Sequence, residues 1–322
     1  MKTRLPIALA VVAFAFPALA KEEAPAPAAT SAARDLAYGA YQRGDYKAAM
    51  NEAKKRLDAN PKDAAALTLI GRLFLEGAGM PRDMKKAMEW FRRGADAGNA
   101  EAAYYYGVAS LEGIDAQKDR ARARAYLEKA AAQEHAAALH LLGEIALEND
   151  GRDPDFATAM NYFKRASAAG SADADYAIGV LYKTGKGVTK DDREAASWFK
   201  RAADVELPPA MVEYAIMQFN GIGVDRDRTA AVELLHRAAL KGNAVAQNRL
   251  AHLYADGLGV EVDLAKAKEW RDLAKEQGLN DPTLDYLSNA ALPKKPAEPK
   301  PPASPQSPAP PRSPTPPTVP GK

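Results

Sequence analysis

Between residues 64 and 279 the apolar positions fall into two alternating stripes, each with the spacing of a helix face. Ala66, Ile70 and Phe74 stand at i, i+4 and i+8, which predicts one amphipathic helix. Ala87, Trp90, Phe91 and Gly94 form a second stripe of the same kind. Between the stripes lie Gly77 and Gly79, where a helix must stop and the backbone turns through positive φ. Asp83 follows. Its carboxylate suits an N-cap, accepting from free amides at the positive end of a helix dipole. Gly98 and Asn99 then close the second helix. The unit predicted is helix A, a glycine turn, helix B and a second turn.

The unit recurs every 36 residues. Gly71 is followed at that step by Gly107, Gly143, Gly179, Ala215 and Ala251, a small residue wherever one helix must approach another. Ala66 leads to Ala102, Ala138, Ala174, Ala210 and Ala246. Asp83 leads to Asp119, Asp155, Asp191, Asp227 and Asp263. Trp90 leads to Tyr126, Tyr162, Trp198, Leu234 and Trp270. The Gly94 column continues as Ala130, Ala166, Ala202, Ala238 and Ala274. Six copies fill residues 64–279. A fixed period of this length is the signature of a stacked repeat architecture. The fold class expected is all-α: a right-handed α-solenoid of stacked antiparallel helix pairs. In the third copy Asn149 replaces the first turn glycine, although Gly151 is kept, so that turn is expected to differ.

Composition agrees with a helical repeat. Hydrophobic residues make up 47% of the chain but aromatics only 7%, so much of the apolar content is alanine, the best helix former. The net charge of +2 gives no electrostatic case for nucleic acid. No cysteine is present, which excludes disulfides, thiolate nucleophiles and cysteine-ligated metals. At the N-terminus Lys2 and Arg4 precede an apolar run over residues 5–19, and Ala18-Leu19-Ala20 forms a small-x-small site before Lys21. That layout predicts a signal peptide over residues 1–20, cleaved after Ala20, and a periplasmic or secreted chain. The run is shorter than the ~20 residues of a spanning helix, and no second long apolar run predicts a transmembrane segment in the mature chain. Residues 21–33 are rich in alanine, proline and glutamate and are expected to be a disordered linker. Residues 293–322 carry proline at 13 positions, with Lys294, Lys295, Lys300, Arg312 and Lys322 against Glu298. They are expected to form a disordered basic tail of polyproline character, a spacer or a contact to the cell wall.

The segment 172–192, ADADYAIGVLYKTGKGVTKDD, followed by Ala195, Trp198, Phe199, Ala202 and Ala203, closely resembles the Sel-1-like repeat (SLR) family, a relative of the tetratricopeptide repeat. The resemblance covers residues 64–279. Residues 34–63 resemble a tetratricopeptide unit instead, with Ala37, Ala40 and Tyr41 on one helix, Gly44-Asp45-Tyr46 in the turn, Ala49 and Ala53 on the next helix, and Asn60-Pro61 at its end. This unit is expected to cap the N-terminal end. A short helix over 280–292, opened by Asp281-Pro282 and presenting Leu284 and Leu287, is expected to cap the other end. The resemblance implies a binding scaffold, of a kind with exported regulators and envelope-assembly or host-contact factors.

The chain offers little chemistry. It has no Gly-x-x-x-x-Gly-Lys-Ser/Thr loop, no Gly-x-Ser-x-Gly elbow and no His-Glu-x-x-His. The pairs Gly185/Gly187, Gly221/Gly223 and Gly257/Gly259 follow a helix at the repeat period and are turn glycines. His135, His140, His236 and His252 occupy different repeat positions without metal-ligand spacing. The turn from Asn149 to Asp155 is oxygen-rich but lacks the ligand order of a calcium loop. The β-lactam binding or hydrolysis of some SLR proteins goes with a cysteine pair in each repeat, which this chain lacks. No catalytic residue, metal or cofactor is assigned, and an enzyme is not expected.

Function is therefore sought in the irregular columns. In stacked helix pairs helix A lines the concave side. One helix-A column runs Thr68, Tyr104, His140, Tyr176, Val212, Asn248; a second runs Arg72, Val108, Glu144, Val180, Ile216, His252; a third runs Leu75, Leu111, Leu147, Lys183, Phe219, Ala255. Tyr104, Val108, His140, Glu144, Tyr176, Val180, Ile216 and Phe219 are the candidate partner-binding residues, an amphipathic groove suited to a protein or peptide. For the tyrosines and His140 the rival reading is contact with the next repeat. The rival functions are a peptidoglycan binder using the tail and a penicillin-recognising hydrolase.

Overall fold

Each helix of the array is started by a side chain that its sequence column provides. The computed structural model describes residues 35–114, 117–148 and 153–288. The signal peptide, the linker and the proline-rich tail lie outside the described residues, as do residues 149–152 and the last part of the C-terminal cap. The described residues hold fourteen α-helices and a closing 3-10 helix, and no strand. Asp83, Asp119, Asp155, Asp191, Asp227 and Asp263 each cap a helix B by accepting the amide three residues on. Gly77, Gly113, Gly185, Gly221 and Gly257 end helices A in the left-handed conformation. Asn99 closes helix B, its amide donating to the Gly94 carbonyl at 3.0 Å after the left-handed Gly98, and it has a second role. It is the N-cap of the next helix A, where Asn243 and Ser171 also stand, because an amide or hydroxyl oxygen there satisfies the free Ala102, Ala246 or Ala174 amide.

The chain divides into two compact units, up to Val205 and from Glu206 onward. In the first, α1 (Leu36–Gln42) pairs with α2 (Tyr46–Ala59), and helices A and B then alternate: α3 (Ala64–Glu76) and α4 (Met84–Asp96), α5 (Ala100–Glu112) and α6 (Arg120–Ala131), α7 (Ala136–Glu148) and α8 (Phe156–Ala168), α9 (Ala172–Thr184) and α10 (Asp192–Asp204). In the second, α11 (Pro208–Asn220) pairs with α12 (Arg228–Leu240) and α13 (Ala244–Asp256) with α14 (Leu264–Glu276), followed by the 3-10 helix Pro282–Ser288. Within each unit, helices pack chiefly against their pair partner and then against the next pair. This is an all-α array of antiparallel helix pairs.

The small-residue columns are explained by what faces them. A methyl group at Gly71 or Gly179 would sit 2.8 or 2.7 Å from the ring of Phe91 or Phe199, and at Gly107 it would sit 2.9 Å from Leu127. Phe91, Phe163 and Phe199 are fully buried. Helix A thus presents bare backbone to a large side chain twenty residues further on. The second turn glycine serves the joint between repeats: a methyl group at Gly79, whose φ is +72°, would sit 2.9 Å from Cβ of Tyr46 at the start of α2.

The start of the first unit and the end of the second are each held by an arginine. Arg56 of α2 forks onto Asp63, the N-cap of α3, at 2.8 Å through both Nε and Nη2, and reaches Asp35 at 2.7 Å. Beyond α14 the expected short helix is a 3-10 helix that buries Leu284 and Leu287. Arg271 holds it by donating to the Leu284 carbonyl and to Ser288 Oγ at 3.1 and 2.6 Å. Arg271 occupies the column of Phe91 and Phe199 and is 7% exposed.

Candidate partner-binding face

The Thr68 column lies on a seam between helix pairs. A methyl group at Gly94 would sit 3.0 Å from both Thr68 Oγ1 and Cβ of Ala102 in the next repeat. Tyr104 stacks on His135, at the start of α7, with ring centroids 4.9 Å apart. His140 leans on Phe163 at 5.5 Å and Tyr176 on Phe199 at 5.6 Å. All three are half-buried. Each spends one side of its ring on the seam and leaves the rest accessible.

Arg72, which opens the second column, joins α3 to α5. Arg72 is ion-paired with Glu101, 29 positions on, across α3 and α5. In the last repeat the same two columns give His252 and Asp281, paired at 2.8 Å, with Asn248 Nδ2 donating to the same carboxylate at 3.0 Å. Hydrogen bonds from Thr283, His252 and Asn248 hold the Asp281 carboxyl far below the usual carboxylate range. Val108, in this column, is 5% exposed and packs in the core, so it offers almost no surface. Glu144 and Val180 are half-buried. Burial pushes the Glu144 carboxyl up, His140 opposes the shift, and Glu148 and Asp173 add to it. His140 Nε2 lies 4.0 Å from Glu144 Oε1. Ile216 and Phe219 belong to the second unit and are half-buried, with the guanidinium of Arg228 lying 5.0 Å over the Phe219 ring.

At the N-terminal end of this face, Tyr41 donates to Glu76 at 2.6 Å. Burial and the Glu76 carboxylate together push the Tyr41 hydroxyl well above its ordinary range. Tyr105 is pushed up to about 12, by burial first and by Glu101 next. These are links that fix neighbouring helices. Among the described residues no three histidine or carboxylate side chains gather to hold a metal ion. No helix of the described residues is long and apolar enough to cross a membrane.

One column was overlooked in the sequence. Arg93, Lys129, Arg165 and Arg201 stand three residues after Trp90, Tyr126, Tyr162 and Trp198, and each cation lies over its ring at 4.2 to 6.0 Å. Several also reach back one repeat. Lys129 meets Asp96 at 3.0 Å, Arg165 donates to the Ala131 carbonyl at 2.7 Å, and Arg201 Nη2 donates to Ser167 Oγ at 3.1 Å. The 36-residue step exposes this column as readily as the others, and the i, i+3 offset from the aromatic column gives its role.

The structure defines a class first: an all-helical repeat protein whose helix pairs differ mainly at exposed and seam positions. The Sel1 repeat family model matches residues 64–99, 100–135, 136–171, 172–205, 208–243 and 244–279, and the chain belongs to that family. It is similar to a Sel1 repeat protein from Oxalobacter formigenes at 28% identity, with a TM-score of 0.68, covering 77% of this chain and all of the other. It is also similar to c5321, a protective antigen of uropathogenic Escherichia coli strains with an SLR fold, at 27% identity and a TM-score of 0.66. That alignment covers 76% of this chain and 52% of the antigen, so the chain spans about half of that protein. No curated protein matches the chain. Sel1 repeats form a scaffold typical of protein–protein interaction, and the family is generally non-catalytic.

Proposed function

We propose that the protein is an exported, non-enzymatic scaffold that binds a protein or peptide partner on its helix-A face. The observation that carries this reading is the contrast between columns. The Ala66 and Asp83 columns keep one residue type at every 36-residue step, whereas the Thr68, Arg72 and Leu75 columns change from repeat to repeat and include half-buried tyrosine, valine and carboxylate side chains. A scaffold needs the first kind of column for its fold and the second for a particular ligand. The basic start, apolar run and Ala18-Leu19-Ala20 site of residues 1–20 support export, and the similarity to an antigen fits the same placement.

The test uses exposed alanine and threonine positions, so that the fold is left intact. Ala137, in the Glu101 column, and Thr184, at the end of α9, are exposed on the helix-A side, whereas Ala125 is exposed on α6. Mature protein from Lys21, Ala137→Tyr/Thr184→Tyr and Ala125→Tyr are used in parallel to capture partners from an envelope fraction. The double variant is expected to lose a partner that the wild type and Ala125→Tyr both retain. Equal capture by all three forms would move the site off this face.

A further inference from the structure

The last joint of the second unit carries leucines where the chain elsewhere carries an ion pair. The cation column that follows the aromatic column runs Arg93, Lys129, Arg165, Arg201 and Arg237, and it ends on Leu273. Lys129 meets Asp96, 33 positions before it. The residue 33 positions before Leu273 is Leu240. The fold sets these two leucines side by side. The rings of His236 and Trp270 meet across α12 and α14 at 5.5 Å, Leu240 lies one turn beyond His236, and Leu273 lies one turn beyond Trp270. Leu240 is 78% exposed and Leu273 41% exposed, with half-buried Trp270 beside them. The joint is held without them. Ala239 is the equivalent of Ala131, whose carbonyl Arg165 binds, and its carbonyl accepts instead from Gln247 Nε2 at 3.1 Å. Gln277 Nε2 in turn donates to Gln247 Oε1 at 2.8 Å. The cations next to Leu240 along α12 are engaged as well, since Arg237 and Lys241 both pair with Glu206, at 2.9 and 2.8 Å. Large apolar side chains clustered at the surface without a packing role mark a contact site.

Size and position decide what covers this patch. Three side chains offer at most a few hundred Å², short of the ~800 Å² per partner of a stable dimer, so a short segment suits it better than a second copy. Such a segment starts from the same helix. Arg271 of α14, the neighbour of Trp270, donates to Ser288 Oγ at 2.6 Å, and residues 289–300 read NAALPKKPAEPK. Four residues reach at most about 14 Å, enough to round a helix about 10–12 Å across and bring Leu292-Pro293 to Leu273. Glu269 and Glu276 stand one turn before and after Leu273, exposed and outside any ion pair among the described residues. They are opposite in sign to Lys294 and Lys295. We propose that residues 289–300 fold back as a strap over the last joint, with Leu292 and Pro293 covering Leu240, Leu273 and Trp270, and with Lys294 and Lys295 facing Glu269 and Glu276. Proline-rich segments dock on aromatic surfaces with little loss of chain entropy, and a tether this short keeps the segment at high effective concentration. The strap lies on the helix-B side of the second unit and is independent of the helix-A docking face.

The test places a photo-crosslinking amino acid at Ala297 of the full mature protein. After irradiation and digestion, a link within one chain to residues 237–241 or 269–276 is expected, in material of monomer mass and at a yield independent of protein concentration. Leu240→Ser/Leu273→Ser alters two exposed side chains. It is expected to keep its helical circular dichroism while the yield falls at least about fivefold. Val262→Ser, at another exposed apolar position of the unit, is expected to keep the wild-type yield. Links that are spread along the chain and indifferent to Leu240→Ser/Leu273→Ser would overturn the proposal, and so would an equal loss in Val262→Ser or the absence of any link. Adducts of dimer mass whose yield rises with concentration would overturn it in favour of a second copy.

Discussion

Gly179 and Phe199 show how a single residue pair sets the spacing of a helix pair. The ring lies where a methyl group on Gly179 would be only 2.7 Å away, so Gly179→Ala is expected to destabilise by about 1–3 kcal/mol through overpacking. Combining it with Phe199→Leu is expected to cost less than the sum of the two single changes, because Ala215 facing Leu235 is a natural form of that pair. Urea unfolding of the four forms checks this, and simple additivity would contradict it. Glu144 gives a second residue-scale prediction. Its folded carboxyl is raised by burial, so the charged form is disfavoured and the chain gains stability as pH falls through the raised value. Glu144→Gln is therefore expected to be more stable than wild type at neutral pH, with the gap closing towards about pH 4. A constant gap across that range would show that Glu144 ionisation does not matter.

At the scale of elements, the joint is the informative unit. Gly79 needs positive φ and also approaches Tyr46 of the preceding pair. Gly79→Ala is expected to lower the unfolding midpoint and to speed amide exchange in α2 and α3, measured by hydrogen exchange. Unchanged exchange in α2 would mean that this turn does not couple the pairs. The helices, turns and aspartate caps were legible in the sequence because each depends on residues close along the chain and recurs at one step. The His135 cap was not, since histidine is an unusual cap; its Nδ1 accepts the Ala138 amide at 3.3 Å. Nor was the pairing of Arg72 with Glu101, which requires knowing which positions of adjacent helices A meet. The same gap explains Val108. Its column is polar at Arg72 and Glu144, so it reads as surface, yet Val108 is buried in the core. Tyr104, His140 and Tyr176 combine seam and surface because a large ring on a seam reaches past it.

At the scale of the molecule, the two helix layers of the first unit do different work. Helices B carry the cations that lie over aromatic rings and clamp one repeat to the previous one, while helices A carry the acidic and variable positions. Acid is expected to act on the whole chain through the caps. Hydrogen bonds from backbone amides hold the carboxyls of Asp83, Asp155 and Asp263 below their ordinary range. Such groups contribute stability above the unfolded carboxyl value, and it is lost as pH falls through their lowered folded values. Thermal unfolding followed by circular dichroism is expected to show a falling midpoint below about pH 4, and the fall should be smaller when Asp155 is replaced by asparagine, which caps without titrating. An unaltered acid profile in that variant would assign acid sensitivity to other groups.

The central claim is that a partner meets the helix-A face. A photo-crosslinking amino acid placed at Ala137, and in a parallel strain at Ala125, tests it in the living cell. A discrete covalent adduct is predicted from position 137 and none from position 125. Adducts from 125 alone, or the same adducts from both, would contradict a docking surface on helices A.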